Sequence, residues 1–165
     1  PRLKGIGAGY WQRPLLFRNR RDGTFKEIGA TLGAPFADVH GSRGLAVGDL
    51  NNDGQMDLVI ANQEERPSVL MNRGVPGGNW SLIKLRGTKS NRSAIGARVT
   101  LRVRGRSQMR EVKSGGSYLS QSDLRVHFGL GADTEVDELK IRWPSGRVQV
   151  ESGIHANQIT TIPEK

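Results

Sequence analysis

Residues 48–60 read Gly48-Asp49-Leu50-Asn51-Asn52-Asp53-Gly54-Gln55-Met56-Asp57-Leu58-Val59-Ile60. Oxygen-bearing side chains recur at every second position at the start of this stretch and return at its end, and a glycine stands where the chain must fold back. Hard cations such as Ca²⁺ take about six to eight oxygen ligands at roughly 2.3–2.6 Å. The spacing therefore predicts a Ca²⁺ loop. Its ligands would be the carboxylates of Asp49, Asp53 and Asp57, the side-chain carbonyl of Asn51 and the backbone carbonyl of Gln55.

The loop does not fit an EF-hand, because that motif needs a bidentate Glu at the twelfth loop position, which is Ile60 here. The flanking segments 44–47 and 58–61 are short and apolar, which indicates strands rather than helices. The alternative is a solvated turn without metal, since Asn, Asp and Gly also form turns through local hydrogen bonds. Three acids that face one point repel one another unless a cation compensates them, and this favours the metal.

The composition indicates a turn-rich β protein. The 165 residues are 35% hydrophobic and 5% aromatic and include 22 glycines. Without cysteine the chain has no disulfide, no thiolate metal site and no cysteine nucleophile. There is no run of about 18 apolar residues, so we predict no membrane span. Because such a calcium loop works where the ion is abundant, we expect a secreted, periplasmic or cell-surface location.

The formal net charge of +9 is unevenly spread. Residues 1–78 hold 10 Lys and Arg against 8 Asp and Glu, whereas residues 79–165 hold 15 against 8. Such a surplus can mark a surface that binds a polyanion. The alternative is an ordinary solvated β surface that is cationic.

Residues 1–78 form the first predicted segment, which carries the calcium loop. Residues 13–19 and 23–28 are predicted to pair as a hairpin, and a further strand is predicted over 67–72. The pattern at residues 15–20 returns at residues 69–74, 54 positions later. A repeat of this length is typical of a propeller blade.

Residues 16–74, with Asp22-Gly23-Thr24-Phe25 and the Asp49 to Asp57 loop, resemble FG-GAP/VCBS repeats of the integrin α-chain β-propeller type. The resemblance implies that residues 14–28 are the outer two strands of one blade and residues 44–72 the first three of the next. Since a lone blade cannot bury both faces of its sheet, we expect further blades upstream in a longer parent chain. Arg20 and Arg21 stand where the family has small or acidic residues, which makes the first turn a poor calcium site.

Residues 79–165 predict an antiparallel β-sandwich or barrel, so the whole chain is predicted to be all-β. Apolar and polar residues alternate over 97–104, 124–128 and 139–143, and strands are also predicted at 148–150 and 159–162. Trp143 continues an apolar face and is predicted to lie in the core.

Four stretches of this segment carry a second resemblance: Ser90-Asn91-Arg92-Ser93-Ala94-Ile95-Gly96-Ala97-Arg98-Val99, Ser114-Gly115-Gly116-Ser117-Tyr118-Leu119-Ser120-Gln121-Ser122, His127-Phe128-Gly129-Leu130-Gly131 and Trp143-Pro144-Ser145-Gly146. Nearly end to end, the segment resembles the ASPIC/UnbV domain that follows FG-GAP/VCBS repeats in the cartilage acidic protein family and in many bacterial surface proteins. The resemblance implies an architecture and assigns no activity.

Two surfaces of the second segment are candidate ligand sites. The polar cluster 117–122, with Tyr118 and Gln121, offers a ring and hydrogen-bonding groups for a glycan. The alternative for this cluster is a polar edge strand whose Tyr118 packs on the core.

The second surface is a cationic face formed by Arg98, Arg102 and Arg104, to which Lys140 and Arg142 can be added. No aromatic residue alternates with these cations to stack on bases, so an anionic polysaccharide is a better ligand than nucleic acid. Ordinary solvated surface remains the alternative.

The three histidines, His40, His127 and His155, have no Ser, Cys or acid at a spacing that suggests a catalytic triad, although geometry rather than order defines one. His127 is predicted to be an outward residue on a strand. The sequence therefore predicts a calcium-binding extracellular or cell-surface adhesion module without catalytic activity, with a protein or glycan partner. The alternative is a binder of carbohydrate or anionic polysaccharide that acts through the basic second segment.

Overall fold

The computed structural model describes residues 11–74 and 76–165, and these are built almost entirely of strands. The first ten residues of the predicted segment 1–78, and Val75, lie outside the described residues. The strands are β1 (Phe17–Asn19), β2 (Phe25–Glu27), β3 (Ser42–Gly48), β4 (Asp57–Asn62), β5 (Ser68–Leu70), β6 (Asn79–Arg86), β7 (Arg98–Val103), β8 (Arg106–Glu111), β9 (Val126–Gly131), β10 (Glu135–Val136), β11 (Glu138–Arg142), β12 (Val148–Glu151), β13 (Ile154–His155) and β14 (Gln158–Pro163). A short 3-10 helix (Gly29–Thr31) and the helix α1 (Ala34–Ala37) join β2 to β3. No helix in the described part is long and apolar enough to cross a membrane.

The first unit consists of the β1–β2 hairpin and the antiparallel meander β3-β4-β5. In the turn of the hairpin, Asp22 Oδ1 accepts a hydrogen bond of 2.9 Å from the Thr24 amide, which is an Asx turn. Strands β3 and β4 pair until Gly48 lies opposite Asp57, so residues 49–56 form the connecting loop. The predicted hairpin and the strands that flank the loop are confirmed.

The first unit has little core of its own. Within residues 11–74, Ile60 is the buried large apolar side chain, while Phe17, Phe25 and Val69 are each more than half exposed. Burial of apolar surface is the main driving force of folding. The strands of this unit therefore present apolar faces that the described residues leave uncovered.

The second unit is a β-sandwich. A four-stranded sheet in the order β12-β11-β7-β8 and a three-stranded sheet in the order β14-β6-β9 share one core, to which Val99 and Ile141 contribute from one sheet and Phe128 from the other. Trp143 is 2% exposed, as predicted, and its indole N–H donates to Gln149 Oε1 at 3.0 Å. The all-β prediction is confirmed, with one parallel pair, β6 and β14.

Strand β6 was not predicted from the sequence. It is the central strand of its sheet, and its neighbouring residues Leu82 and Ile83 are both fully buried. A strand that is covered on both faces does not alternate between apolar and polar residues. Ile83 belongs to the sandwich core, whereas Leu82 lies outside that cluster, on the face that meets the first unit.

The end of β14 is fixed by the buried carboxylate of Glu164. One oxygen accepts the backbone N–H groups of Thr88, Lys89 and Ser90 at 2.7–2.9 Å, and the other accepts the hydroxyls of Ser90 and Ser145 at 2.9 and 2.5 Å. Burial acts to raise the pKa of Glu164, but these hydrogen bonds outweigh it and lower the pKa to about 2. The carboxylate thus ties the two turns that carry Ser90 and Ser145 to the last strand.

Candidate metal centre

The loop between β3 and β4 buries two of its three carboxylates. Asp49 is 3% exposed and Asp57 is 1% exposed, whereas Asn51 and Asp53 lie at the surface. The main-chain turn is made by Gly54, whose φ of 83° lies in the left-handed region that favours glycine. The residues predicted as ligands therefore lie in the loop 49–56 and at the first residue of β4, with one buried acid on each side of the turn.

Backbone N–H groups hold the Asp49 carboxylate. One oxygen accepts from the Asp53 amide at 3.1 Å and the other from the Gly54 amide at 2.9 Å. Asp53 in turn accepts from the Gln55 amide at 2.8 Å. These bonds curl the loop around its first acid.

The Asp57 carboxylate closes the other end of the loop. It accepts from the Leu50 amide at 2.9 Å and from the Asn72 amide, just beyond β5, at 2.8 Å. This acid therefore ties together the loop, strand β4 and the end of the meander.

The donor set fits a hard cation such as Ca²⁺, because it consists of three carboxylates, an amide and a backbone carbonyl. Each carboxylate oxygen has about two lone-pair sites, so one N–H bond leaves capacity for a metal. Within residues 11–74 and 76–165 no ion pair joins Asp49, Asp53 or Asp57 to a cationic side chain, and no three acidic or histidine side chains converge closely enough to hold a metal. Mutual repulsion keeps uncompensated carboxylates apart, and buried acids without a counter-ion are costly.

The loop packs against the second unit through Gly54. The indole ring of Trp80 covers the Gly54 backbone, where an added Cβ would overlap the ring. On the neighbouring strand, His127 Nε2 lies 2.8 Å from the Gly54 carbonyl, so that this nitrogen carries the proton. Burial lowers the pKa of His127, and the hydrogen bond to the Gly54 carbonyl opposes that shift in part. The predicted outward residue of β9 is therefore a half-buried contact to the loop.

Arg125 makes a second contact between the units. Its guanidinium donates to the backbone carbonyl of Asp49 at 2.8 Å and to the side chain of Asn52 at 2.7 Å. Asp123 holds the same guanidinium through a 2.7 Å hydrogen bond, and this partner raises the pKa of Arg125. Neither Arg125 nor Trp80 was predicted as part of the site, because their contacts are made far along the chain.

The polar cluster 117–122 lies along the edge of β3 instead of forming a free groove. The Ser117 and Ser122 hydroxyls accept from the Leu45 and Val47 amides at 3.1 and 3.2 Å, and the chain just beyond the cluster donates to the Val47 carbonyl at 2.8 Å. An unpaired edge strand needs such cover. Tyr118 is 65% exposed, so the alternative in which its ring packs on the core is wrong. Gln121 is exposed as well.

The predicted cationic face is present, but one of its predicted residues, Arg104, does not lie on it. Arg98 and Arg142 are paired neighbours on β7 and β11, and Arg102 and Lys140 extend the same exposed face. Arg104 does not join them. It follows β7 in a turn with a φ of 47°, and its guanidinium contacts Asp133 at 2.9 Å.

The other two histidines contact carboxylates. His40 lies 2.7 Å from Glu65, and His155 lies 3.4 Å from Glu135. Among the contacts of the described residues, none joins a histidine to a hydroxyl group.

Two protein families match this chain. Residues 6–60 match the FG-GAP-like repeat, and residues 87–165 match the family described as ASPIC and UnbV. The loop between β3 and β4 lies in the first match, and most of the sandwich lies in the second.

The chain is also similar to proteins named Cartilage acidic protein 1. It is 34% identical to that of Xenopus tropicalis over 113 residues, which cover 66% of this chain and 17% of the relative. It is 30% identical to that of Homo sapiens over 125 residues, which cover 73% of this chain and 18% of the relative. The chain therefore spans less than a fifth of the length of these relatives.

Proposed function

Because the chain belongs to the FG-GAP-like repeat family over residues 6–60 and to the ASPIC and UnbV family over residues 87–165, we propose that it is a calcium-stabilised extracellular interaction module. The observation that carries the proposal is the loop between β3 and β4, where Asp49 and Asp57 are buried without a paired cation among the described residues.

The loop residues would hold Ca²⁺ through the carboxylates of Asp49, Asp53 and Asp57, the side-chain carbonyl of Asn51 and the backbone carbonyl of Gln55. The bound ion would supply positive charge next to the buried acids. The conformation of the loop comes from the chain itself. Backbone N–H groups that donate to the carboxylates of Asp49, Asp53 and Asp57 hold the loop in its turn and place the Gly54 backbone against the second unit.

This arrangement would couple the metal to the joint between the two units. Trp80 and His127 contact Gly54, which stands between two of the proposed ligands, and Arg125 contacts the backbone of Asp49. A cation that orders the loop would therefore also order the surface on which the second unit rests. The proposed role of calcium is mechanical, because it would fix the orientation of a binding module.

A thermal melt with and without Ca²⁺ tests the proposal. An ion that binds only the folded chain stabilises it by about 1.4 kcal/mol at ten times its Kd, so the midpoint should rise on addition of millimolar Ca²⁺. Mg²⁺ should act more weakly, since it prefers a smaller octahedral site and keeps its waters. Equal midpoints in Ca²⁺ and in chelator would refute the calcium assignment.

The proposed location is outside the cytosol, at the cell surface, in the periplasm or in secretion. The two families, the relatives with cartilage in their name and the loop's suitability for abundant calcium support it. We also propose a non-catalytic role, supported by the described contacts of the histidines with carboxylates and a backbone carbonyl.

The uncovered apolar faces of the first unit support the presence of further propeller blades in a longer parent chain. Phe17 and Phe25, on the two strands of the hairpin, are 55% and 63% exposed. A neighbouring blade would bury such a face, because blades are stable when they stack on one another.

A second candidate function is the binding of an anionic polysaccharide at the cationic face of the sandwich. Arg98, Arg102, Lys140 and Arg142 share the exposed side of β7 and β11. Two acids partly compensate them, since Arg98 lies 3.5 Å from Glu111 and Arg102 lies 3.7 Å from Glu138. Lys140 and Arg142 have no acid within ion-pair distance among the described residues, and this favours the candidate.

A further inference from the structure

A cleft lies between the first unit and the outer face of the sheet β14-β6-β9, and no predicted site uses its cations. Lys84 and Arg86 of β6 and Thr161 of β14 form one side of it. Ala46 of β3 and Val59 of β4, which are paired neighbours, form part of the opposite side. The cleft exists only because the two units are docked, so neither half of the sequence shows it alone.

Three cations line the cleft without partners. Lys84, Arg86 and Arg92 are exposed, and none has an acid within 4.0 Å among the residues that the structure describes. The two acids that line the cleft, Asp49 and Asp123, already accept hydrogen bonds from loop amides and from a guanidinium group. Counted together with Arg125, four cations line the cleft against these two acids, so its lining carries a formal net charge of +2, which attracts anions.

The same cleft has an apolar component. Ile159 on β14 is 38% exposed and lines the cleft next to Lys84 and Thr161. Ala46 and Val59 face it from the first unit. No aromatic ring is present among its described lining residues, although rings and hydrogen bonds are what a neutral sugar would need. A ligand that fits must carry negative charge and apolar groups together.

We propose that this cleft binds an extended acidic peptide in which acidic and apolar residues alternate. Lys84 and Arg86 are two residues apart on one strand, so their side chains leave the same face about 7 Å from each other. An extended peptide has the same rise, so acids at its positions i and i+2 match the two cations. The residue between them points the other way, towards Ala46 and Val59. A fully hydroxylated polysaccharide would gain nothing from that apolar wall.

The probe is a fluorescent hexapeptide of alternating Asp and Val, measured by anisotropy against the full chain in Ca²⁺. The variant Lys84→Gln/Arg86→Gln should weaken binding by about tenfold or more, because two charge-assisted contacts are lost. The chain offers a matched control, Lys113→Gln/Arg147→Gln, which removes one exposed Lys and one exposed Arg that lie outside both the cleft and the cationic face. It should change the affinity by less than about twofold, allowing for long-range charge effects.

Two further probes separate peptide from general polyanion binding. A hexapeptide of alternating Asn and Val should not bind, and a heparin-derived hexasaccharide should not compete at the concentration at which the acidic peptide saturates. Equal losses in the two double variants, or no binding of the acidic peptide at millimolar concentration, would overturn the proposal. Binding of the hexasaccharide that depends on Lys84 and Arg86, without peptide binding, would assign the cleft to a glycan and overturn it as well.

Both variants replace exposed side chains, so their thermal midpoints should equal that of the parent chain. A second readout is independent of affinity: amide NMR shifts on peptide addition should appear at Ile159 and Thr161 and should be absent at Val148 and Val150 on the far sheet. Repeating the peptide titration in chelator separates peptide binding at the cleft from calcium binding at the loop. If calcium proves irrelevant, the peptide affinity should be the same in both buffers.

Discussion

The indole ring of Trp80 lies over the backbone of Gly54, so close that a Cβ at residue 54 would overlap it. Gly54 also needs glycine for its own conformation, because its φ is 83°. One residue therefore serves both the turn of the loop and the joint between the two units. Its neighbours Asp53 and Gln55 are two of the proposed calcium ligands, so an ion bound there would be connected to both the turn and the joint.

Gly54→Ala should destabilise the chain by roughly 2–4 kcal/mol, because it combines a strained φ with overpacking against the indole ring. Chemical denaturation measures this free energy. Gly23→Ala is the matched control, since Gly23 has a φ of 84° and open space around it. It should cost only about 1 kcal/mol, from the backbone alone. Equal losses at the two glycines would show that the Trp80 contact has no energetic role.

The loop and its flanking strands could be predicted because their determinants are local. Oxygen-bearing side chains at every second position, a glycine at the turn and apolar flanks all lie within residues 44–61. In the structure the same residues form the β3–β4 hairpin, with Asp49 and Asp57 buried. The alternation in β7 and β11 likewise predicted a sandwich strand with one cationic face.

The surroundings of the loop could not be predicted, because they are made by residues far away in the chain. Trp80 and Leu82 lie on β6, which is buried on both faces and so lacks the period of two that identifies a strand. The prediction that Arg104 belongs to the cationic face was wrong for another reason. The alternation continues to it in the sequence, but the strand ends at Val103, and the turn directs the guanidinium to Asp133.

Asp53→Asn and Asp57→Asn should separate calcium binding from folding. Asp53 is exposed, and the hydrogen bonds of its carboxylate with described residues are to Asn51 and Gln55 of the loop. Its loss should therefore remove the calcium-dependent rise of the thermal midpoint and change the melt in chelator little. Asp57 is buried and accepts from Leu50 and Asn72, so its replacement should cost about 1–3 kcal/mol even in chelator.

Asp22→Asn is the control for this pair. Asp22 forms a similar exposed turn in the first hairpin, beside Arg20 and Arg21. It should leave the calcium response intact. A calcium response that survives Asp53→Asn would place the ion elsewhere.

Residues 79–165 should fold alone, whereas residues 1–78 should not. The shared core of the sandwich contains residues from 83 to 162, while the first unit leaves Phe17, Phe25 and Val69 more than half exposed. Heteronuclear NMR of the two expressed pieces checks this. A well-dispersed spectrum from monomeric residues 1–78 would contradict it.

Glu164→Gln should lower the thermal midpoint at neutral pH and flatten its acid dependence. The pKa of Glu164 falls from 4.5 to about 2 on folding, so its carboxylate stabilises the fold above pH 4.5, and that contribution is lost as the pH falls towards 2. The thermal midpoints of the variant and the parent chain should therefore approach each other as the pH falls from 7 to 2. Ser145→Ala removes one hydrogen-bond donor to the Glu164 carboxylate, so its thermal midpoint at neutral pH should lie between those of the parent chain and Glu164→Gln. Parallel curves over this range would contradict the role of the carboxylate.

If the cationic face binds a polyanion, retention on heparin resin should depend on where cations lie and not only on their number. Replacing Arg98, Arg102 and Arg142 by Gln should lower the eluting salt more than replacing Arg66, Lys113 and Arg147, which are exposed but scattered. Charges that share a face lie within the screening length of about 8–10 Å and act together on one ligand, whereas scattered charges do not.

Arg104→Gln provides a finer comparison, since the sequence predicts this residue on the face and the structure places it against Asp133. It should change retention no more than a scattered cation does. Equal effects of the two triple variants would mean that net charge alone governs retention. The polar cluster would not then become the default glycan site, because its Ser117 and Ser122 hydroxyls already accept the amides of β3.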